Sequence, residues 1–211
     1  MLPWISITQL ADTTVMLPLA AACAAWLACA RAWRMALWWC FLLALGLALV
    51  TLSKIAFIGW GIGIPTLDFT GFSGHAMRTT AVMPVLFYLL LQKSTVATRI
   101  SGVILGMALG VFMGISRLAV HVHSMSEVVS GCLLGACVSI GFIWISRTFP
   151  KPVLHRWLIV LSLVVLIPAP MANPAPTERW LNTISLLISR HDKPFERGYS
   201  GKTACCGLES D

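Results

Sequence analysis

Charged side chains are scarce in this chain and make up only 11% of its 211 residues. A soluble domain usually carries about a quarter charged residues. Hydrophobic residues reach 58%, and the mean hydropathy is +0.85. This composition excludes a soluble domain and predicts an all-α integral membrane protein. The net charge of +7 does not indicate a nucleic-acid partner, because the basic residues stand mostly at the ends of apolar runs, where they set topology and contact lipid headgroups.

Two further signals are absent. Residues 1–14 contain no lysine or arginine, so they lack the basic region of a signal peptide, and we expect the first apolar run to be a membrane span. Five of the seven cysteines lie inside apolar segments, where we expect them to behave as small hydrophobic residues. Cys205 and Cys206 have no metal-ligand spacing around them, and we assign them no role.

Six apolar segments approach or exceed the roughly 20 residues that cross a bilayer. They are residues 14–33, 35–58, 76–92, 100–116, 127–146 and 154–172. The loops after the first, third and fifth segments contain seven basic residues, namely Arg31, Arg34, Lys93, Arg99, Arg147, Lys151 and Arg156. By the positive-inside rule these loops face the cytoplasm. The sequence therefore predicts a six-span domain over residues 1–172, with both termini outside.

The tail, residues 173–211, begins with a proline-rich stretch and continues as TERWLNTISLLISR over residues 177–190. Thr177 is a candidate N-cap. Several large apolar side chains fall on one side of a helix over this stretch, namely Trp180, Leu181, Ile184 and Leu187. We expect a short amphipathic helix that lies in the interface on the outer side of the membrane.

Glycines recur four residues apart along the fourth apolar segment, and a pair with the same spacing follows in the fifth: Gly102, Gly106, Gly110, Gly114, Gly131 and Gly135. Rows of small residues let another helix approach closely. We therefore expect tight helix packing along both segments.

The stretch GISRLAVHVHSMSEVVSG, residues 114–131, places ionisable groups between apolar runs. Burying such groups in lipid costs on the order of several kcal/mol unless they are paired or hydrated. His123 and Glu127 are one helical turn apart. The carboxylate can therefore hold one imidazole nitrogen and leave the other as a nucleophile or base. Arg117 presents a planar fork that suits phosphate oxygens.

His121 is two residues from His123 and should point elsewhere, as an interfacial histidine. The alternative is a metal ion such as zinc, bound by His121, His123 and Glu127. Arg117 would then lie close to another cation, which argues against that alternative.

Two more polar groups fall at the same predicted membrane face. Lys54 is near the end of the second segment, and the sequence FSGH, residues 72–75, precedes the third. Ser73 is a candidate N-cap, and Gly74 permits close approach of the backbone. The amides at such a helix start suit a phosphate. The alternative interpretation is an ordinary capped helix start.

Together these patches contain the parts that in-line phosphoryl transfer needs. That reaction requires a nucleophile on one side of phosphorus, a proton donor on the other, and positive charge around the equatorial oxygens. His75 and His123 are on separate loops, and Lys54 and Arg117 supply positive charge. This set can perform the reaction without a metal or other cofactor.

These residues resemble the signature motifs of the type 2 phosphatidic acid phosphatase (PAP2) superfamily. Ser116, Arg117 and His123 match its third motif, S-R-x5-H-x3-D, in register, and residues 72–75 resemble its second, P-S-G-H. Lys54 lies at a suitable distance for the first motif, K-x6-R-P. The resemblance covers roughly residues 10–170 and implies a PAP2-like core of six transmembrane helices.

The resemblance also implies a role for each matched residue. His123 would attack phosphorus and form a phosphohistidine, Glu127 would orient it, and His75 would protonate the leaving group. The phosphate would be held by the remaining matched residues, Lys54, Ser73, Gly74 and Arg117.

Three positions depart from the motifs. Glu127 replaces an aspartate, Phe72 replaces a proline, and Gly61 stands where the first motif has an arginine. One phosphate-binding cation is therefore missing. Our hypothesis is that Arg78, one turn after His75, partly replaces it; the alternative is an interfacial arginine that contacts lipid headgroups.

The function expected from the residues and the resemblance is that of a metal-independent lipid phosphatase of the bacterial inner membrane, with its site open to the periplasm. Undecaprenyl pyrophosphate is the first substrate to consider, followed by phosphatidylglycerophosphate, phosphatidic acid and a lipid A phosphate. Two alternatives remain. One is a phosphotransferase that uses the same residues, and the other is a non-catalytic membrane protein that binds a lipid or carries a metal.

Overall fold

The structure is a computed structural model that describes residues 13–120, 122–166, 177–190 and 193–195. Within these ranges it contains seven α-helices and no β-strand. The helices are α1 (Thr13–Cys29), α2 (Trp33–Trp60), α3 (Gly74–Leu90), α4 (Val96–Ala119), α5 (Met125–Ser146), α6 (Arg156–Leu166) and α7 (Thr177–Ser189). A short 3-10 turn, Pro65–Leu67, interrupts the loop between α2 and α3. The predicted all-α class is confirmed for the described residues.

Three helices, α2, α4 and α5, are long and apolar enough to cross a membrane, and they identify a membrane protein. The helices α1 and α6 are apolar but shorter in the described ranges. Each of the six predicted segments overlaps one helix. The last six residues of the segment 154–172 lie outside the described residues. The number of six spans and the orientation of the termini stay predictions.

The helix α3 is the centre of the bundle, because most of its side chains are buried between α1, α4 and α5. The predicted close packing along the glycine rows is confirmed. A Cβ atom added at Gly106 would lie 2.5 Å from the backbone nitrogen of Pro84 in α3, and one added at Gly131 would lie 2.7 Å from the carbonyl oxygen of Ser73. Only glycine permits these approaches, which hold α4 and α5 against α3.

Side-chain contacts join the remaining helices to this core. The indole nitrogen of Trp26 in α1 donates to Ser162 Oγ in α6 at 2.9 Å, and that of Trp39 in α2 donates to the carbonyl of Ala20 in α1 at 2.9 Å. The predicted cytoplasmic loops lie at one end of the bundle. The candidate site residues lie at the other end, where α2 and α4 finish and α3 and α5 begin.

A helix, α7 (Thr177–Ser189), covers most of the stretch 177–190 where the tail helix is predicted. It packs against α2, with Ser185 fully buried. Its opposite side exposes large apolar side chains, namely Trp180, Ile184, Leu187 and Ile188. That exposed side suits the predicted interfacial position, which stays a prediction. Cys205 and Cys206 lie outside the described residues.

Candidate active site

The loop between α2 and α3 is fastened to the helices on both sides of it. The backbone N–H of Phe72 donates to Ser53 Oγ in α2 at 3.2 Å. Ser126 Oγ at the start of α5 donates to the carbonyl of Leu67 at 2.7 Å. The N–H of Ser73 donates to the carbonyl of Glu127 at 3.0 Å. These bonds bring the FSGH segment beside the start of α5.

His123 and Glu127 form a hydrogen-bonded pair. The imidazole Nδ1 lies 2.7 Å from Glu127 Oε2, and the carboxylate is fully buried. The spacing of four residues produces this contact because Ser124 begins α5 with a capping box: its Oγ accepts from the N–H of Glu127, and its own N–H donates to Oε2 at 3.2 Å. A capping box has Glu or Gln at this third helical position. Glu127, which is longer than the aspartate of the third motif, therefore both contacts His123 and caps α5.

Thr70 completes the surroundings of the carboxylate. Its backbone N–H donates to Glu127 Oε1 at 2.9 Å, and its hydroxyl donates to the same oxygen. Both carboxylate oxygens are therefore occupied, one by His123 and Ser124 and the other by Thr70. Sequence reasoning missed Thr70, because its partner is 57 residues away along the chain. The one available signal was its position three residues before Ser73.

A cavity of about 180 Å³ opens beside this pair. A single water needs roughly 10–15 Å³, so the cavity has room for a group of several atoms. Its lining is Lys54, Ile58, Thr70, Gly71, Val122, His123, Glu127, Leu181 and Asn182. Since Nδ1 of His123 is held by Glu127, Nε2 is the nitrogen left for chemistry in the cavity.

Ser73 occupies the N-cap position of α3, but its hydroxyl makes no capping hydrogen bond. The side chain is fully buried, and within the described part of the chain its Oγ has no hydrogen-bond partner. Ser73 is therefore at the predicted N-cap position, but its side chain does not cap the helix. A buried hydroxyl without a partner costs on the order of 1–3 kcal/mol. Its position at a helix start suits a ligand that accepts hydrogen bonds.

The side chain of Arg78 runs toward the same helix start. Nη1 of Arg78 would lie 3.3 Å from a Cβ added at Gly74, so its guanidinium lies against the backbone of the FSGH segment. The Nε atoms of Arg78 and Arg117 are both buried. This inward position does not fit the alternative of an Arg78 that only contacts lipid headgroups.

His75 lies among these positive charges, one residue before the predicted apolar segment 76–92. Burial, followed by the charges of Arg78 and Arg117, lowers the pKa of its imidazole to about 2. His123 and Lys54 act in the same direction. Burial and these charges thus favour the neutral imidazole, and an anion bound near it would oppose the shift.

Known proteins resemble this chain in sequence. A model of the PAP2 superfamily matches residues 62–151. A Klebsiella pneumoniae protein described as "Uncharacterized 22.5 kDa protein in cps region" is 40% identical over 199 residues, which cover 92% of this chain and 95% of that protein. The chain belongs to the PAP2 superfamily. PAP2 proteins are generally phosphatases. No solved structure matches the chain.

The match to the PAP2 model includes the second and third motifs but begins after Lys54. The structure nevertheless places Lys54 in the cavity beside His123. The lysine that resembles the first motif therefore lies beside the candidate nucleophile.

Gly61 stands where the first PAP2 motif has an arginine, and the structure does not accommodate a side chain at this position. Gly61 ends α2 in the left-handed conformation, with φ of 66°, and its N–H donates to the carbonyl of Phe57 at 2.8 Å. A side chain there would be strained. Its Cβ would lie only 3.0 Å from the ring of Phe195.

The metal alternative involved His121, which lies outside the described residues. Among the residues that the structure does describe, no group of three or more His, Cys, Asp or Glu side chains gathers as a metal site. His123 and Glu127 instead bond to one another, in an arrangement that suits a PAP2 nucleophile and its orienting carboxylate.

Proposed function

We propose that this protein is a metal-independent membrane phosphatase that hydrolyses a lipid phosphate or lipid pyrophosphate through a phosphohistidine. The observation that carries the proposal is the His123–Glu127 pair beside a cavity that Lys54 also lines. A buried carboxylate on Nδ1 selects the tautomer with a lone pair on Nε2 and stabilises the positive charge that develops on attack. A histidine held in this way is suited to nucleophilic catalysis.

In the first step, Nε2 of His123 attacks phosphorus in line with the bond to the leaving oxygen. The P–N bond forms as that P–O bond breaks, and His75 transfers its proton to the departing lipid oxygen. In the second step, water attacks phosphorus and gives a proton to His75. The P–N bond then breaks, which releases inorganic phosphate and restores His123.

His75 must carry a proton for the first step, although burial and the charges around it disfavour that form. A bound phosphate group supplies the opposite charge at short range and raises the pKa of the imidazole. Protonation of His75 is therefore coupled to substrate binding.

The phosphate group would be held by positive charge and by groups at the start of α3. Lys54, Arg117 and Arg78 surround His75 closely enough to lower its pKa. Ser73 Oγ and the amide of Gly74 add hydrogen-bond donors at the helix start. In this arrangement Arg78 partly replaces the missing arginine of the first motif.

A lipid substrate is supported by the apolar helices and by membership of the PAP2 superfamily. The polar end of the bundle lies opposite the basic loops, which favours a site on the periplasmic face of a bacterial inner membrane. Undecaprenyl pyrophosphate is our first candidate, and phosphatidylglycerophosphate, phosphatidic acid and a lipid A phosphate follow.

The test is phosphate release by the purified protein in detergent with EDTA present. The substrates are undecaprenyl pyrophosphate, phosphatidylglycerophosphate, phosphatidic acid and diacylglycerol pyrophosphate, with His123→Ala as the paired variant. Release that persists in EDTA and is lost in His123→Ala supports the proposal. Loss of activity in EDTA would support a metal mechanism. No release from folded protein would favour a transferase or a lipid-binding protein.

A further inference from the structure

The tail helix α7 is anchored firmly at the outer end of α2. A Cβ atom added at Gly59 would lie 3.2 Å from Cβ of Ser189, so the two helices approach closely there. Ser185 is fully buried in the contact. Beyond the helix, the N–H of Phe195 donates to the carbonyl of Ile58 at 2.9 Å. These contacts fix both the position and the rotation of α7 on the bundle.

This docking brings two side chains of α7 to the cavity beside His123. Leu181 and Asn182 line it together with Lys54 and Thr70. Leu181 extends the apolar part of the wall formed by Ile58. Asn182 contributes a carboxamide, which can donate two hydrogen bonds and carries no charge.

We propose that α7 is a wall of the phosphate pocket and that the amide of Asn182 donates a hydrogen bond to an oxygen of the substrate's phosphoryl group. The inference rests on the proposed function, because it assumes that a phosphate ester or anhydride occupies this cavity. Lys54 and Asn182 then contact the phosphoryl group from two different helices.

The same end of α2 leaves room for this wall. Gly61, which replaces the arginine of the first motif, lies under the ring of Phe195. A large side chain at that position would displace the segment that follows α7. Gly61, which stands in place of a cation, therefore leaves room for the tail. The tail supplies a neutral hydrogen-bond donor, Asn182.

The kinetic test compares Asn182→Ala with Thr183→Ala. Thr183 is exposed, is next to Asn182 on the same helix, and is not part of the cavity lining. We expect Asn182→Ala to raise KM about tenfold, the effect of a lost hydrogen bond to a charged group, with kcat changed less than threefold. Asn182→Gln should recover part of the loss, and Thr183→Ala should match wild type. Unchanged KM in Asn182→Ala would overturn the inference.

A second test needs no turnover. Asn182→Cys and Thr183→Cys are labelled with a charged maleimide in the presence and absence of saturating inorganic phosphate, and each site is quantified by peptide mass spectrometry. We expect phosphate to slow labelling at position 182 at least fivefold and to leave position 183 unchanged. Equal labelling with and without phosphate at position 182 would overturn the inference. If phosphate protects position 182 but the protein hydrolyses no substrate, the proposed function is disproved and the inference about Asn182 is not.

Discussion

Nδ1 of His123 and Oε2 of Glu127 are 2.7 Å apart, and no part of the carboxylate reaches the surface. The other oxygen, Oε1, accepts two hydrogen bonds from Thr70. Glu127 therefore holds the imidazole, and Thr70 holds Glu127. The orientation of His123 depends on contacts between two distant parts of the chain.

Replacing Glu127 by Gln should reduce kcat roughly 100-fold or more, because the amide cannot stabilise the imidazolium that forms during attack. Gln also serves at the third position of a capping box, so α5 should still begin at the same residue. The measurement is kcat on the best lipid substrate, with thermal unfolding as the control for folding. Activity within threefold of wild type would contradict the assigned role.

Thr70→Val should lower kcat less than Glu127→Gln does, by about 3- to 30-fold, because the backbone N–H of residue 70 still donates to Oε1. Thr70→Ser retains the hydroxyl and should preserve activity. In the Glu127→Gln background the Thr70→Val change should have little additional effect, since residues that act as a unit are not additive. Fully additive losses would show that Thr70 acts elsewhere.

Arg78→Ala should raise KM roughly 10- to 100-fold if the guanidinium binds the phosphate group, the range expected for a charged hydrogen bond. Lys93→Ala is the matched control, because Lys93 is an exposed cation at the opposite end of the bundle. Turnover and KM that equal those of wild type would remove Arg78 from the site.

The pH dependence of phosphate binding should reveal the protonation of His75. Burial and nearby cations lower its pKa, and a bound anion raises it. Between the two pKa values the complex takes up a proton, so affinity falls as the pH rises through that window. Calorimetry of inorganic phosphate binding in two buffers of different ionisation enthalpy measures this uptake. His75→Gln should reduce the uptake by up to one proton; equal uptake in the two proteins would contradict the coupling.

Gly131→Ala should destabilise the protein and displace Ser73, because the added Cβ would lie 2.7 Å from the Ser73 carbonyl oxygen. Overpacking of this kind typically costs about 1–3 kcal/mol. Gly141→Ala in the same helix is the control, since the nearest atom to its added Cβ is 3.9 Å away. Thermal unfolding in detergent checks both. Equal Tm values for the two variants would contradict the packing argument.

The sequence by itself determined the helical class, the approximate position of each described helix, and the pairing of His123 with Glu127. These features depend on residues within one or two helical turns, where apolar runs and the capping box of Ser124 act locally. The order of the apolar segments and the distribution of Lys and Arg were also sufficient to predict that the candidate site residues share one end of the bundle.

The tertiary structure alone decided the contacts between distant parts of the chain. It placed Thr70 on Glu127, left the Ser73 hydroxyl without the predicted cap bond, and brought Asn182 to the cavity. None of these follows from local periodicity, because each depends on how loops and helices pack against one another. Glycines at positions such as 59 and 131 set those distances, and their partners are known only when the helices are packed.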